Sequence, residues 1–204
     1  MGLLSSTSSL ARYMVRGKPD APIIETARRG LSENRFREID QSAREKSVGW
    51  TSLETPYRPD FEDSSFLVGP FFIFALRVDK KKVPPKLFKK HHTLAMEEKL
   101  AKSGRDFLSR DEKSDLKESV LNALLTRMPA TPDIYDVVWN VEESWAWFFS
   151  GTKSANEDFE TLFSKSFNLS VIRLFPYSEA GFASGLDDSR QSLLSKLQPT
   201  QFAG

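Results

Sequence analysis

One stretch restricts the folds open to this chain more than any other. Phe66-Leu67-Val68-Gly69-Pro70-Phe71-Phe72-Ile73-Phe74-Ala75-Leu76 is an apolar run that continues to Arg77-Val78-Asp79. It lacks the alternation of a half-solvated strand, so it predicts a strand covered on both faces. It is too short to cross a bilayer, and Gly69-Pro70 interrupts it. Lys80-Lys81-Lys82 follow at once, then Val83-Pro84-Pro85, and beyond these two helix-patterned segments rich in lysine and arginine. A buried strand that delivers the chain into a basic helical arm suits a protein that handles a polyanion.

Whole-chain charge hides this arm. The 204 residues carry a net charge of +1, with 39% hydrophobic and 28% charged residues, an ordinary globular balance. Between Lys80 and Lys117, however, twelve Lys and Arg face six Asp and Glu, while the remainder holds 17 basic against 22 acidic residues. Such segregation points to a binding surface. There is no cysteine, which excludes disulfides, thiolate catalysis and cysteine-held metals. The start, Met1-Gly2-Leu3-Leu4-Ser5-Ser6, has neither a basic n-region nor a long apolar h-region. It matches a loose myristoylation pattern that is short enough to arise by chance. The expectation is a cytoplasmic protein with no membrane contact and no cofactor.

Taken in order, residues 8–15 read as a strand. Asp20 is placed to cap a helix that begins at Pro22 and carries Ile23, Ala27 and Leu31 on one face. Residues 36–39 and 47–51 read as short strands, and 55–65 as a loop with two prolines and several acids. The apolar run, residues 66–78, follows as one strand. The arm's first helix begins at Pro84-Pro85 and ends at Ser103-Gly104, with Leu87, His91, Leu94 and Ala101 near one side and Lys86, Lys89 and Lys90 on another. The second begins at a capping box, Ser109-Arg110-Asp111-Glu112, carries Leu116, Val120, Ala123 and Leu124 as its stripe, and stops at Met128-Pro129. Residues 134–141 and 145–150 alternate and form a hairpin. Ser154 to Glu157 reads as another capping box, for a helix with Phe159, Leu162, Phe163 and Phe167 on one face. A strand over 169–175 and a terminal helix over 187–197 complete the chain. The class is α+β, with mixed or antiparallel sheets, packed helices and a projecting basic arm. The divisions are an N-terminal α+β region (1–79), the arm (80–132), a β-hairpin–α–β region (133–178) and a tail (179–204).

Lys80, Lys81 and Lys82, with Lys86, Lys89 and Lys90 on an adjoining helix face, form a phosphate-neutralising set. Adjacent His91 and His92 point about 100° apart on a helix, which disfavours a shared metal; His91 is expected half-buried beside Leu87 and Leu94. Trp139, Trp145 and Trp147 have the chemistry to stack on bases, but their strand positions favour core or interface. No magnesium-holding carboxylate pattern or glycine-rich phosphate loop occurs in the sequence.

Several pieces in succession resemble one family. These are Arg35-Phe36-Arg37-Glu38-Ile39-Asp40, Gly49-Trp50 and Leu76-Arg77-Val78-Asp79-Lys80-Lys81-Lys82-Val83-Pro84-Pro85. Further along come Ser109-Arg110-Asp111-Glu112-Lys113, Leu116-Lys117-Glu118, Leu124-Leu125-Thr126-Arg127 and Asp136-Val137-Val138-Trp139-Asn140. Over residues 8–178 their order resembles the recombination-associated protein RdgC family. The resemblance implies a bacterial, nucleoid-associated protein that binds double- and single-stranded DNA with little sequence preference. It implies a homodimer that restrains RecA by occupying DNA, and no enzymatic activity. Longer members continue with another domain beyond Phe175-Pro176-Tyr177. They also carry an aromatic and basic tip after the position of Arg127, where this chain has Met128-Pro129-Ala130-Thr131-Pro132, so only Arg127 carries over.

The cations expected to contact DNA are Arg77, Lys80, Lys81, Lys82, Lys86, Lys89, Lys90, Lys113, Lys117 and Arg127. Two alternatives stand beside this expectation. One is a nuclease or nuclease accessory subunit; the other is a module that contacts RecA or a replication protein without DNA.

Overall fold

The computed structural model describes residues 2–18, 22–61, 66–183, 185 and 187–196. The chain runs β1 (Ala11–Arg16), α1 (Ile23–Glu33), β2 (Lys46–Thr51), β3 (Leu67–Val68), β4 (Phe71–Lys80), α2 (Pro85–Ser103), α3 (Arg110–Arg127), β5 (Thr131–Asn140), β6 (Trp145–Phe148), α4 (Lys153–Phe167), β7 (Ser170–Leu174), α5 (Pro176–Ala183) and α6 (Asp188–Lys196). It is an α+β fold. The strands make one antiparallel sheet in the order β2-β4-β5-β6-β1-β7, with β3 also paired to β4. Strands from both the N-terminal and the β-hairpin–α–β regions therefore share one sheet.

One sheet face is apolar because strand side chains alternate. Tyr13, Trp50, Phe72, Phe74, Leu76, Val137, Trp139 and Phe148 point to this face and are buried under α1 and α4. α4 brings Phe159, Phe163 and Phe167 at helical spacing into the same core. Phe167 stacks on Trp50 at 5.9 Å and lies 5.0 Å from Trp139, and Phe159 stacks on Phe148 at 4.6 Å. The Tyr13 hydroxyl, 2.6 Å from Asn156 Oδ1 and 2.8 Å from Glu160 Oε1, anchors β1 to α4. Burial, then the Glu160 carboxylate, pushes its pKa well above the usual tyrosine value.

Several expectations need correction. The apolar run is not one strand. Gly69, at φ +59°, and Pro70 form a two-residue turn that folds Leu67 and Val68 back on Phe72 and Phe71. Residues 36–39 are not a strand; the segment's one β-bridge to the sheet, among the described residues, joins Arg35 to Trp50. It crosses β2 so closely that a Cβ on Gly49 would sit 2.4 Å from Phe36 Cα. Together with the Tyr57 region, this crossing covers the outer face of β4, where Ala75, Arg77 and Asp79 are buried. At α4 the expected capping box is absent. Thr152 is the N-cap, and the buried Asn156 amide donates instead to the carbonyls of Ser150 (3.0 Å) and Thr152 (2.8 Å). α5 was not foreseen; it packs on the outer face, with Glu179 2.6 Å from Arg12 and Phe182 under the Arg16 guanidinium. Asp20 and Leu197 lie outside the described residues.

The arm is an insertion between paired strands. β4 and β5 pair along their whole length, from Phe71↔Asn140 to Lys80↔Thr131, and α2 and α3 stand where a hairpin turn would otherwise close them. α2 has no buried residue, and α3 buries only Leu124 and Leu125 near its root. The two helices project and pack mainly on each other. Gly104, in the left-handed conformation, ends α2, and the Ser109/Glu112 capping box starts α3.

Lys81 fixes the root. Its ammonium is buried and donates to the carbonyls of Asp40 (2.9 Å), Ser42 (2.8 Å) and Leu125 (2.9 Å). The Asp40 carboxylate accepts the Ala130 N–H at 2.9 Å, so one loop grips the chain where it leaves and where it returns. Replacing Lys81 by Met strands these carbonyls. The expected cost is about 1–3 kcal/mol in urea denaturation, with faster amide exchange at residues 124–128. Unchanged stability and exchange would remove Lys81 from this role.

The arm's far end responds to acid. The Ser109 backbone N–H, and then the Arg105 guanidinium at 2.6 Å, hold the Glu112 carboxyl down to about 2. A carboxylate lowered by folding stabilises the folded state above its unfolded pKa, and that contribution is lost as pH falls through the folded value. Glu112→Gln should therefore differ from the parent in α3 amide protection at neutral pH and converge with it near pH 2. A Glu112 carboxyl that titrates by NMR at the ordinary 4.5 would contradict this.

Candidate nucleic-acid interface

The arm carries a cationic face. Lys86, Lys89 and Lys90 fall on one side of α2 and line a shallow depression of about 450 Å³ with Thr93 and Leu94. All three are exposed, as is Lys82 in the approach to the helix. Among the described residues none of these four has an acidic partner within ion-pair distance. Their stems cover the depression while their ammonium groups remain in water, as amphipathic side chains do. Lys80 is also exposed, and its Nζ lies 3.4 Å from Asp133 Oδ2. Such a contact at the surface is weak and exchangeable.

Lys113 and Lys117 are exposed one turn apart on α3. Arg127, also exposed, borders a groove between the helices lined by His91, Leu94, Val120 and Leu124. Leu94 adjoins both this groove and the lysine depression. His91 is half-buried, and His92 stacks on Phe88 at 5.6 Å. Trp139 is core. Trp145 and Trp147 stack on each other at 4.7 Å on the outer sheet face, with Trp147 37% exposed.

Two of the expected cations sit elsewhere. Arg77 is 4% exposed. Its Nε and Nη2 donate to Asp79 at 2.8 and 2.7 Å, its Nη1 lies 2.8 Å from Glu38 Oε1, and its guanidinium covers the Phe36 ring at 4.0 Å. Burial alone would lower its pKa; the hydrogen bonds to Asp79 and Glu38 more than offset this and raise it. Lys81, 6% exposed, holds the arm root. Neither presents its charge to a ligand on the surface. In an extended segment neighbours point to opposite sides, so Lys80 and Lys82 face outward while Lys81 faces in.

The sequence reading missed a second basic group. Arg35, Arg37, Arg44 and Lys165 converge on a depression of about 270 Å³ beside β2. The spacing of Arg35 and Arg37 on either side of a buried Phe36 was the available signal. Its meaning depended on Gly49 and α4, which are distant in sequence. No group of three or more His, Asp or Glu side chains suited to a metal ion occurs among the described residues, and no helix among them is long and apolar enough to cross a membrane.

No curated protein matches the chain. One family model, described as "Putative exonuclease, RdgC", matches residues 12–181, which spans the sheet, the arm and α4. The chain belongs to the RdgC family.

Proposed function

We propose that this protein binds double- and single-stranded DNA with little sequence preference, and restrains RecA by occupying DNA rather than by cutting it. The observation that carries the reading is the set of exposed lysines, Lys82, Lys86, Lys89 and Lys90, unpaired among the described residues, on an arm that projects from a rigid sheet. Cations without acidic partners are free to replace the counterions of a phosphate backbone, and their release favours binding. Lysine is a point charge on a flexible stem, suited to phosphate rather than to base edges. The reading extends to a homodimer in the cytoplasm, close to the nucleoid. The partly exposed Trp145–Trp147 stack supports the dimer, because aromatics are enriched at interfaces.

Salt provides the test. Replacing Lys86, Lys89 and Lys90 together by Ala should flatten the dependence of log affinity on log salt by up to about 2.7 on duplex DNA, three contacts at roughly 0.9 each. The loss should be equal for unrelated sequences, and the urea midpoint should hardly move. An unchanged slope in the folded variant would sink the lysine-arm mechanism.

The family's description favours a second reading, a nuclease. Under the first reading, linear DNA incubated with the pure protein and magnesium or manganese stays intact. Degradation that is abolished by a single carboxylate substitution would establish the second reading instead.

A further inference from the structure

The depression beside β2 has a chemistry of its own. Arg35, Arg37, Arg44 and Lys165 line it, and Glu33 is the acid on its wall. All four cations are exposed and, among the described residues, none is held in an ion pair. Lys165 has an ordinary role in the last turn of α4, where a cation complements the helix dipole. Arg37 and Arg44 stand at no helix end, so that role does not account for them. Like charges gathered round one hollow repel each other, and a bound anion would relieve this.

The backbone beneath these side chains is fixed. The Trp50 N–H donates to Asn34 O at 2.9 Å and the Phe36 N–H to Trp50 O at 2.8 Å, which brackets Arg35. The Phe36 ring is held inward beneath Arg77. Arg35 and Arg37, its neighbours in an extended segment, therefore point outward together. Ser47 Oγ donates to Arg37 O at 2.9 Å. The Arg44 N–H donates to Ser42 Oγ at 3.3 Å, and the Ser42 carbonyl is gripped by Lys81. Three guanidinium groups thus stand on a preorganised frame.

We propose that this depression is a phosphate-binding pocket. Guanidinium matches phosphate oxygens with paired, charge-assisted hydrogen bonds. A volume of about 270 Å³ falls below the range for drug-sized ligands, so it suits a phosphate or short polyphosphate group. The pocket adjoins the arm. Lys46 pairs with Lys80 and the Lys81 N–H donates to Glu45 O at 2.8 Å, so Arg44 is the next residue along from the segment that pairs with the arm root. A nucleic-acid backbone lying along the arm root can place a phosphate there. The pocket stands on its own geometry; its use by DNA rests on the DNA-binding reading above.

The test uses the full chain and two probes. Inorganic tripolyphosphate, measured by calorimetry, should bind the parent and lose about tenfold or more in affinity in the Arg35→Ala/Arg37→Ala/Arg44→Ala variant. The Lys86→Ala/Lys89→Ala/Lys90→Ala variant should retain it. A labelled DNA duplex, titrated across a salt series, should show a slope flatter by up to about 2.7 in the arginine variant. The single charge reversal Arg44→Glu should move both readouts the same way, which covers a triple variant that fails to fold. If tripolyphosphate binding is lost while the DNA slope is unchanged, the pocket stands and its phosphate belongs to a free ligand. If the arginine variant loses the anion and the lysine variant leaves DNA binding intact, the pocket stands and the arm reading fails. Equal tripolyphosphate affinity in the parent and both arginine variants overturns the proposal, whatever the lysine variant does.

Discussion

A buried ammonium that, among the described residues, makes no ion pair holds the arm in place. Lys81 places its charge among three carbonyl oxygens, two from the loop that includes Asp40 and Ser42 and one from the last turns of α3. Desolvating a cation is costly unless its hydrogen bonds are made, and an ammonium has three donors to place. Three acceptors meet them here. Leu125 O lies near the negative end of the α3 dipole, which adds to the attraction. With Ala130 bound to the Asp40 carboxylate, both strands of the arm's root are tied to one loop. The register of β4 and β5 fixes where the roots emerge, and the Lys81 cluster fixes the loop against them. A projecting pair of helices with little buried surface needs such a root, because packing between the two helices cannot set their direction relative to the sheet.

The cations of the chain are divided by burial into different tasks. Arg77 lies between Asp79, Glu38 and the Phe36 ring and organises the crossing over β2. Lys81 organises the arm root. Lys82, Lys86, Lys89 and Lys90 pair with no acid among the described residues and keep their charge in water. The arginine pocket is linked to both groups. Its backbone hangs from Phe36, which Arg77 covers, and from Ser42, which Lys81 grips. The exposed charges are positioned by the buried ones.

This division sets how much the sequence could reveal. Local chemistry was readable: the Ser109/Glu112 box, the proline start and glycine end of α2, and the Phe159–Phe163–Phe167 face were all found where the pattern placed them. Features that depend on distant chain were not. Three consecutive lysines look alike, and only the path of residues 40–42 turns the middle one inward. Arg37 fell within an expected strand over 36–39, and its convergence with Arg35 depends on the crossing at Gly49, which cannot be seen locally. The Gly69-Pro70 turn was lost within an apolar run whose composition outweighed its breakers. At α4, Ser154 and Glu157 had the right spacing, but the helix starts at Thr152 without a side-chain cap, and the buried Asn156 amide ties its start by donating to the Ser150 and Thr152 carbonyls. Its carbonyl oxygen also lies beside the Tyr13 hydroxyl, so one side chain serves both β1 and the helix start.

The arrangement of acids bears on the choice between binding and cleavage. A metal-dependent nuclease needs several carboxylates whose free oxygens converge on one point. Here several acids near the basic surfaces are engaged by cations or by a helix cap. Asp79 and Glu38 hold Arg77, Asp133 meets Lys80, Glu98 meets Lys102, and Glu112 serves both a helix cap and Arg105. Each sits next to a cation that would oppose a metal ion at the same place. Free positive charge is concentrated along the arm and in the arginine pocket, while these acids neutralise other cations or cap a helix. That distribution supports the proposed holding of phosphates, with the sheet and its aromatic core as the rigid support from which the arm projects.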